Sequence, residues 1–201
     1  SAEEIMERFR RNKSFYKDGG LTVTGGEPLL QLDFLLELFA LARQENVHTC
    51  IDSSGICFNA SDKDWMGRLD RLLSMTDLVM LDIKHIDPKL HKQLTGCPNE
   101  NILRFAHYLD HKKIPVWIRH VVVPTVTDDE TCLYRLGWFI GGLGNLKALD
   151  VLPYHTMGKV KYEKLGIPYR LEGVPPMDRP TLLLKKQAIL KGIKDRRRHD
   201  G

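Results

Sequence analysis

No stretch of this sequence approaches the roughly 20 apolar residues needed to cross a bilayer. The run "FLLELFALA" (34–42) is broken by Glu37. The N-terminus carries no positively charged start, apolar stretch and small-residue cleavage pattern, so no secretory signal is read there. Repeats and low-complexity tracts are absent as well. Charge of one sign is in short supply: 30 basic residues face 26 acidic ones, a net +4. That excess does not argue for a nucleic-acid partner, because Arg196, Arg197 and Arg198 stand together in the terminal segment. Cysteine is scarce. Cys50, Cys57, Cys97 and Cys132 are separated by 7, 40 and 35 residues, which excludes a disulfide framework and fits a reducing compartment. The expectation is a cytoplasmic protein with neither membrane nor nucleic acid as partner.

What is present reads as an ordinary α/β chain. Its 201 residues, 42% of them hydrophobic, suffice for one core, and a single domain over 1–201 is expected, with 194–201 as a disordered tail. Apolar, β-branched runs recur at "LTVTGG" (21–26), "HTCIDSS" (48–54), "LVMLDIK" (78–84), "VWIRHVVV" (116–123) and "ALDVLPY" (148–154). They are nearly continuous rather than alternating, as in parallel strands buried on both faces. Helical patterns fill the intervals: 29–45, a stretch capped by Ser61 with Asp64 three residues on, one capped by Thr127 with Glu130, and a last helix from about Pro180 to Ile193. Strand and helix in alternation imply a parallel sheet with right-handed crossovers. Open sheet and barrel arc both satisfy this pattern. Residues 155–176 form a long Gly- and Pro-containing connection, the kind that often serves as a lid or binding loop.

The first strand stops on Gly25-Gly26-Glu27-Pro28. Adjacent glycines allow positive φ and close approach of another molecule to the backbone, and proline favours the first turn of a following helix. The other strands end on polar residues: Asp52 and Ser53, Asp82 and Lys84, Arg119 and His120, Tyr154 and His155. In a parallel sheet these ends lie on one side, where α/β proteins build ligand sites. Singly, each residue has a structural reading. Asp52 caps a turn, Asp82 and Lys84 pair across two positions on one face, and His155 hydrogen-bonds within a loop. Together they point to a polar ligand.

"VTGGEPLLQ", "HTCIDSSG", "DLVMLDIKH", "VWIRHVVVP" with "TDD", and "LPYH" resemble, in this order, the pyruvate formate-lyase activating enzymes of the radical S-adenosylmethionine superfamily. The likeness runs from about residue 16 to about residue 193. "GGEP" alone belongs to the wider superfamily, whereas "DLVMLDIKH" and "LPYH" are more specific. The resemblance implies a (β/α)6 partial barrel of the TIM-like type. It places Gly25, Gly26 and Glu27 against the methionine part of S-adenosylmethionine, with Asp82, Ile83 and Lys84 along the cofactor and His155 touching it from the last strand. Asp52, Ser53, Met80 and Asp82 match positions that can hold a monovalent cation. Arg119 faces the cavity, and Lys84, Arg119 and His155 are the residues expected to act in catalysis.

The family also binds a [4Fe–4S] cluster through C-x3-C-x2-C after its first strand. No cysteine interval here fits, and thiolates are the expected ligands. The chain is therefore expected to lack the first strand and the cluster loop, leaving an incomplete barrel without Fe–S ligands. The activity implied for the full-length protein is reductive cleavage of S-adenosylmethionine to a 5′-deoxyadenosyl radical, which generates a glycyl radical on a partner of the pyruvate formate-lyase type. An electron donor such as flavodoxin or ferredoxin is implied with it. Activation of another glycyl radical enzyme and a non-catalytic ligand- or partner-binding remnant stay open as alternatives. Because Leu21, Thr22 and Val23 bear no charge and Asp18 lies outside the strand, the edge they form is expected to pair with another chain or to be covered by the N-terminal helix.

Overall fold

The computed structural model describes residues 1–16 and 19–201, with the backbone alone at Lys161, so Asp18 lies outside the described residues. In chain order the elements are α1 (Ala2–Tyr16), β1 (Leu21–Val23), α2 (Leu32–Gln44), β2 (Thr49–Ser53), α3 (Lys63–Leu73), β3 (Leu78–Asp82), α4 (Pro88–Thr95), α5 (Glu100–His111), β4 (Val116–Val122), α6 (Glu130–Gly141), β5 (Leu146–Pro153), α7 (Lys159–Leu165) and α8 (Arg179–Asp200). Short 3₁₀ turns at Pro28–Gln31 and Thr156–Gly158 precede α2 and α7. The five strands form one open sheet in the order β1-β2-β3-β4-β5. The five strands read from the sequence are all found. No helix is long and apolar enough to cross a membrane among the described residues.

The chain divides into two compact units. The first contains Ser1–Asp82 and Asn101–Trp117, the second Ile83–Glu100 and Ile118–Gly201. In the first unit β1 pairs parallel to β2, Val23 against Ile51, and β2 parallel to β3, Asp52 against Met80 and Ser53 against Leu81. Phe39, Ile51, Leu69, Leu81 and Phe105 are fully buried there, and burial of such side chains is the main favourable contribution to folding, roughly 1.5–3 kcal/mol each. Helix α1 buries Met6 and Phe9, and its Arg10 Nε donates to Glu45 Oε1 just beyond α2 at 2.9 Å. Helix α3 is capped by Asp62, whose carboxylate accepts from Trp65 N–H at 3.0 Å. This corrects the expected Ser61 cap: Ser61 N–H is taken up by Asn59 Oδ1 at 3.1 Å, which puts Ser61 in the preceding turn.

The second unit contains the end of β3–β4 pairing, Ile83 N–H to Arg119 O at 3.1 Å, and the β4–β5 contact, Tyr154 N–H to Val122 O at 3.1 Å. Along β4, Ile118, His120 and Val122 are buried while Arg119 and Val121 are half-buried. Helix α6 is capped by Asp129, which accepts from Cys132 N–H at 2.8 Å, and not by Thr127. The Thr127 hydroxyl is committed to the backbone of the β4 end, donating to Val121 O at 2.8 Å and accepting from Val123 N–H at 2.7 Å. Helix α4 belongs to this unit, whereas α5 belongs to the first from Asn101 onward.

Helices α6 and α8 approach until their backbones touch. A Cβ on Gly137 would stand 2.0 Å from Ile189 O, and one on Gly192 would stand 2.2 Å from Tyr134 O. Helix α8 continues through Asp200, which corrects the disordered tail expected at 194–201. Tyr134 donates from its hydroxyl to Asp195 at 3.2 Å, the Arg196 guanidinium lies 5.5 Å from the Trp138 ring, and Arg196 pairs with Asp200 at 2.7 Å. Cation–π contact and an i,i+4 ion pair hold the basic end in helical form. The connection at 155–176 is partly ordered against a small apolar cluster of Val122, Val123, Tyr154 and Met177, packed with Tyr169, Leu171 and Val174.

Candidate functional site

In the first unit, the chain leaves β1 through Thr24 and enters the glycine pair. Gly25 has φ +148°, a conformation L side chains rarely adopt, and a Cβ added at either Gly25 or Gly26 meets nothing within 4 Å. Packing therefore does not require glycine at these positions; open space lies over the turn. Gly55 is different, because φ +69° favours glycine and an added Cβ would crowd the Phe105 ring at 3.0 Å.

Glu27 caps the following 3₁₀ turn. Its Oε1 accepts from Leu29 N–H at 3.1 Å and from Ser53 Oγ at 2.7 Å. Its Oε2 accepts from Ser54 N–H at 2.9 Å and Ser54 Oγ at 2.5 Å. Ser53 Oγ also accepts from Gly55 N–H at 2.9 Å. Asp52 Oδ2 accepts from Thr24 Oγ1 at 3.3 Å. Of the four residues matched to a cation site, Asp52 and Met80 are register partners, Ser53 directs its hydroxyl to Glu27, and Asp82 ends β3. Ser54 was not singled out in the sequence. A Ser-Ser-Gly turn directly after a strand was the only signal for it.

In the second unit, the peptide of Ile83 is held at both ends. Its N–H donates to Arg119 O at 3.1 Å, and its carbonyl accepts from His120 Nδ1–H at 2.7 Å. His120 is 2% exposed, and burial pushes its imidazole down to about 4, so the ring is neutral with a bare Nε2. His85 is equally buried. Its Nδ1 accepts from Asp87 N–H at 3.0 Å, which leaves the hydrogen on Nε2, and burial lowers its pKa too. Neither Nε2 has a hydrogen-bond partner among the described residues. Lys84 and Arg119 are both engaged in interactions. His155 is exposed and leads into the 3₁₀ turn at Thr156–Gly158. Beside it the Tyr154 hydroxyl shares a 2.8 Å bond with that of Tyr169, and burial together with this bond pushes Tyr169 up to about 12.

The implied [4Fe–4S] cluster does not fit the cysteines of this chain. Cys50 is buried in β2, Cys97 is exposed after α4, and Cys132 sits on α6. Burial and the Glu27 charge push the Cys57 thiol up to about 12, which opposes the thiolate form a cluster needs. No group of three or more His, Cys, Asp or Glu could hold a metal among the described residues. The turn at Gly25 and Gly26 is exposed, with no atom within 4 Å of where either Cβ would stand.

Residues 1–133 match the profile of the Radical SAM superfamily. Over 191 residues the chain is 47% identical to the pyruvate formate-lyase-activating enzyme of Listeria monocytogenes serovar 1/2a, covering 94% of this chain and 77% of that protein. The chain belongs to the pyruvate formate-lyase-activating enzymes of the radical SAM superfamily. A Staphylococcus aureus member is 50% identical over 180 residues, 89% of this chain and 71% of its own. The fold is shared with a crystallised domain of a pyruvate formate-lyase-activating enzyme from Bacteroides vulgatus, with TM-score 0.69 and 22% identity over 87% of this chain and 94% of that one. It is shared also with Streptococcus suis SuiB, solved bound to S-adenosylmethionine, with TM-score 0.58 and 18% identity over 75% and 33% of the two chains.

Proposed function

We propose that this chain supplies the S-adenosylmethionine-binding and partner-binding surface of a glycyl-radical-enzyme activase. The observation that carries the reading is the Gly25–Gly26 turn with nothing over it, in a chain of this family. The exposed backbone of that turn would receive the methionine part of the cofactor. Asp82, Ile83 and Lys84 would run along it, and His155 would close on it from the end of β5. Arg119 would face the glycyl loop of a pyruvate formate-lyase-type enzyme. Asp52, Ser53, Met80 and Asp82 supply oxygen and backbone groups suited to a hard monovalent cation.

When bound, S-adenosylmethionine is the family's source of the radical that takes a hydrogen atom from a backbone glycine of the partner. This chain's residues bind, orient and shield. The two hydrogen bonds on the Ile83 peptide fix the carbonyl side of the segment leading to Lys84. That limits the orientations available to a ligand lying on it. An electron donor of the flavodoxin or ferredoxin kind and a cytoplasmic location complete the proposal.

Calorimetry tests it. S-adenosylmethionine should bind this chain in the high micromolar to millimolar range, roughly −4 to −6 kcal/mol, since no chelating iron holds its amino acid group. Gly26→Leu should abolish the heat. Equal binding by the Gly26→Leu protein would exclude the glycine turn as the contact.

A further inference from the structure

The carboxylate of Glu27 has no acceptor position left. An ionised carboxylate offers about four lone-pair sites, and four donors occupy them: Leu29 N–H and Ser53 Oγ on Oε1, Ser54 N–H and Ser54 Oγ on Oε2. Three of these come from the last residue of β2 and the one after it, whereas Glu27 itself follows β1. The carboxylate thus ties the loop that carries Gly25 and Gly26 to the end of β2 at Ser53, Ser54 and Gly55. Ser53 is buried at 2% exposure and passes the connection on by accepting from Gly55 N–H. Gly55 is in turn locked by its φ of +69° and by the Phe105 ring.

We infer that Glu27 is a positioning residue, a clamp between the ends of β1 and β2, and that its carboxylate, with every acceptor position taken, does not itself contact the ligand. Charge-assisted bonds to backbone N–H are among the stronger hydrogen bonds. Exchanging them for a solvated ligand ammonium would release Ser54 and Leu29 donors and reopen the turn. The second half of the inference rests on the S-adenosylmethionine reading of the preceding section; the clamp itself does not.

The test uses the whole chain with Glu27→Gln, isosteric and uncharged, and Ser54→Ala, which leaves the carboxylate in place. Amide hydrogen exchange is read on the ligand-free proteins, and binding is read by titration with S-adenosylhomocysteine. The clamp predicts that Glu27→Gln speeds exchange at Ser54 and Leu29 at least tenfold without ligand. It also predicts that Ser54→Ala weakens S-adenosylhomocysteine binding in the same direction as Glu27→Gln, and that the double variant loses little more than the worse single one. Unchanged exchange in Glu27→Gln, or a tenfold binding loss there with normal binding in Ser54→Ala, overturns the inference and makes Glu27 a direct contact. If the unaltered chain does not bind S-adenosylhomocysteine at all, the proposed function fails, and the exchange data alone decide the clamp.

Discussion

Acid should unfold the second unit through His120, and the size of the effect follows from its surroundings. The imidazole is 2% exposed, donates from Nδ1 to Ile83 O, and sits near His85 and Lys84, whose charges would repel an imidazolium. Burial is the largest cause of its descent from 6.5 to about 4. At 1.36 kcal/mol per unit, that difference amounts to roughly 3 kcal/mol. In the unfolded chain the ring takes its proton near pH 6.5, and in the folded chain only near pH 4. The stability in question is therefore fully present above pH 6.5, falls as pH drops through that window, and is gone below about 4. His85, also lowered by burial, adds to the same slope. The lowered carboxyls of Asp70 and Asp87 act at still lower pH, below their ordinary 3.8.

Urea unfolding of the natural protein and of His120→Asn, at half-unit steps from pH 7.5 to 4.5, isolates the term. Asparagine keeps a donor for Ile83 O and does not titrate. The variant starts less stable at pH 7.5 because it leaves space in a packed site, but its curve should be flatter by about 2.5 kcal/mol over the range, since pH 4.5 captures most of the window. Parallel curves would refute the reasoning, as would an imidazole resonance of His120 that titrates at an ordinary 6.5.

Gly25→Ala should cost about 1–3 kcal/mol in unfolding experiments from backbone strain alone, because its φ is +148° and no atom blocks the new methyl; equal stability would show that the turn relaxes freely. Gly192→Ala should lower stability by about 2–3 kcal/mol, measured by urea unfolding, since its Cβ would stand 2.2 Å from Tyr134 O and 2.7 Å from Trp138 N. Iodoacetamide at pH 8 followed by peptide mass spectrometry should label exposed Cys97 first, with Cys50 buried and Cys57 held protonated by its shift to about 12; early labelling of Cys57 would contradict that shift. The β1 edge of this chain, uncharged from Leu21 to Val23, should support concentration-dependent association in sedimentation velocity, and a clean monomer with fast amide exchange at 21–23 would count against it.

Strand positions were legible as short, β-branched apolar runs bounded by turn residues, although burial on both faces holds for "TCIDS" while "LVMLD" alternates buried and half-buried positions. The polar strand ends stood out against those runs. Helix starts were read one or two residues early. Asp62 and Asp129 cap in place of Ser61 and Thr127: the Ser61 backbone N–H is bound by the Asn59 side chain in the preceding turn, and the Thr127 hydroxyl is bound by the backbone of Val121 and Val123. The basic end of α8 read as a solvated tail because its partners, Tyr134 and Trp138, are some sixty residues away in the chain.

By itself, then, the sequence determined the order of strands and helices, the glycine turn at the end of β1 and the family. Each of these is a local pattern, set by side-chain periodicity or by backbone freedom at a few adjacent residues. Only the tertiary structure decided what the motif residues touch. It filled every acceptor of Glu27 from Leu29, Ser53 and Ser54, buried His120 as a neutral donor to Ile83, and left the space over Gly25 and Gly26 open. Hydrogen-bond saturation and burial depend on which distant segments fold against a residue, and no spacing along the chain records that.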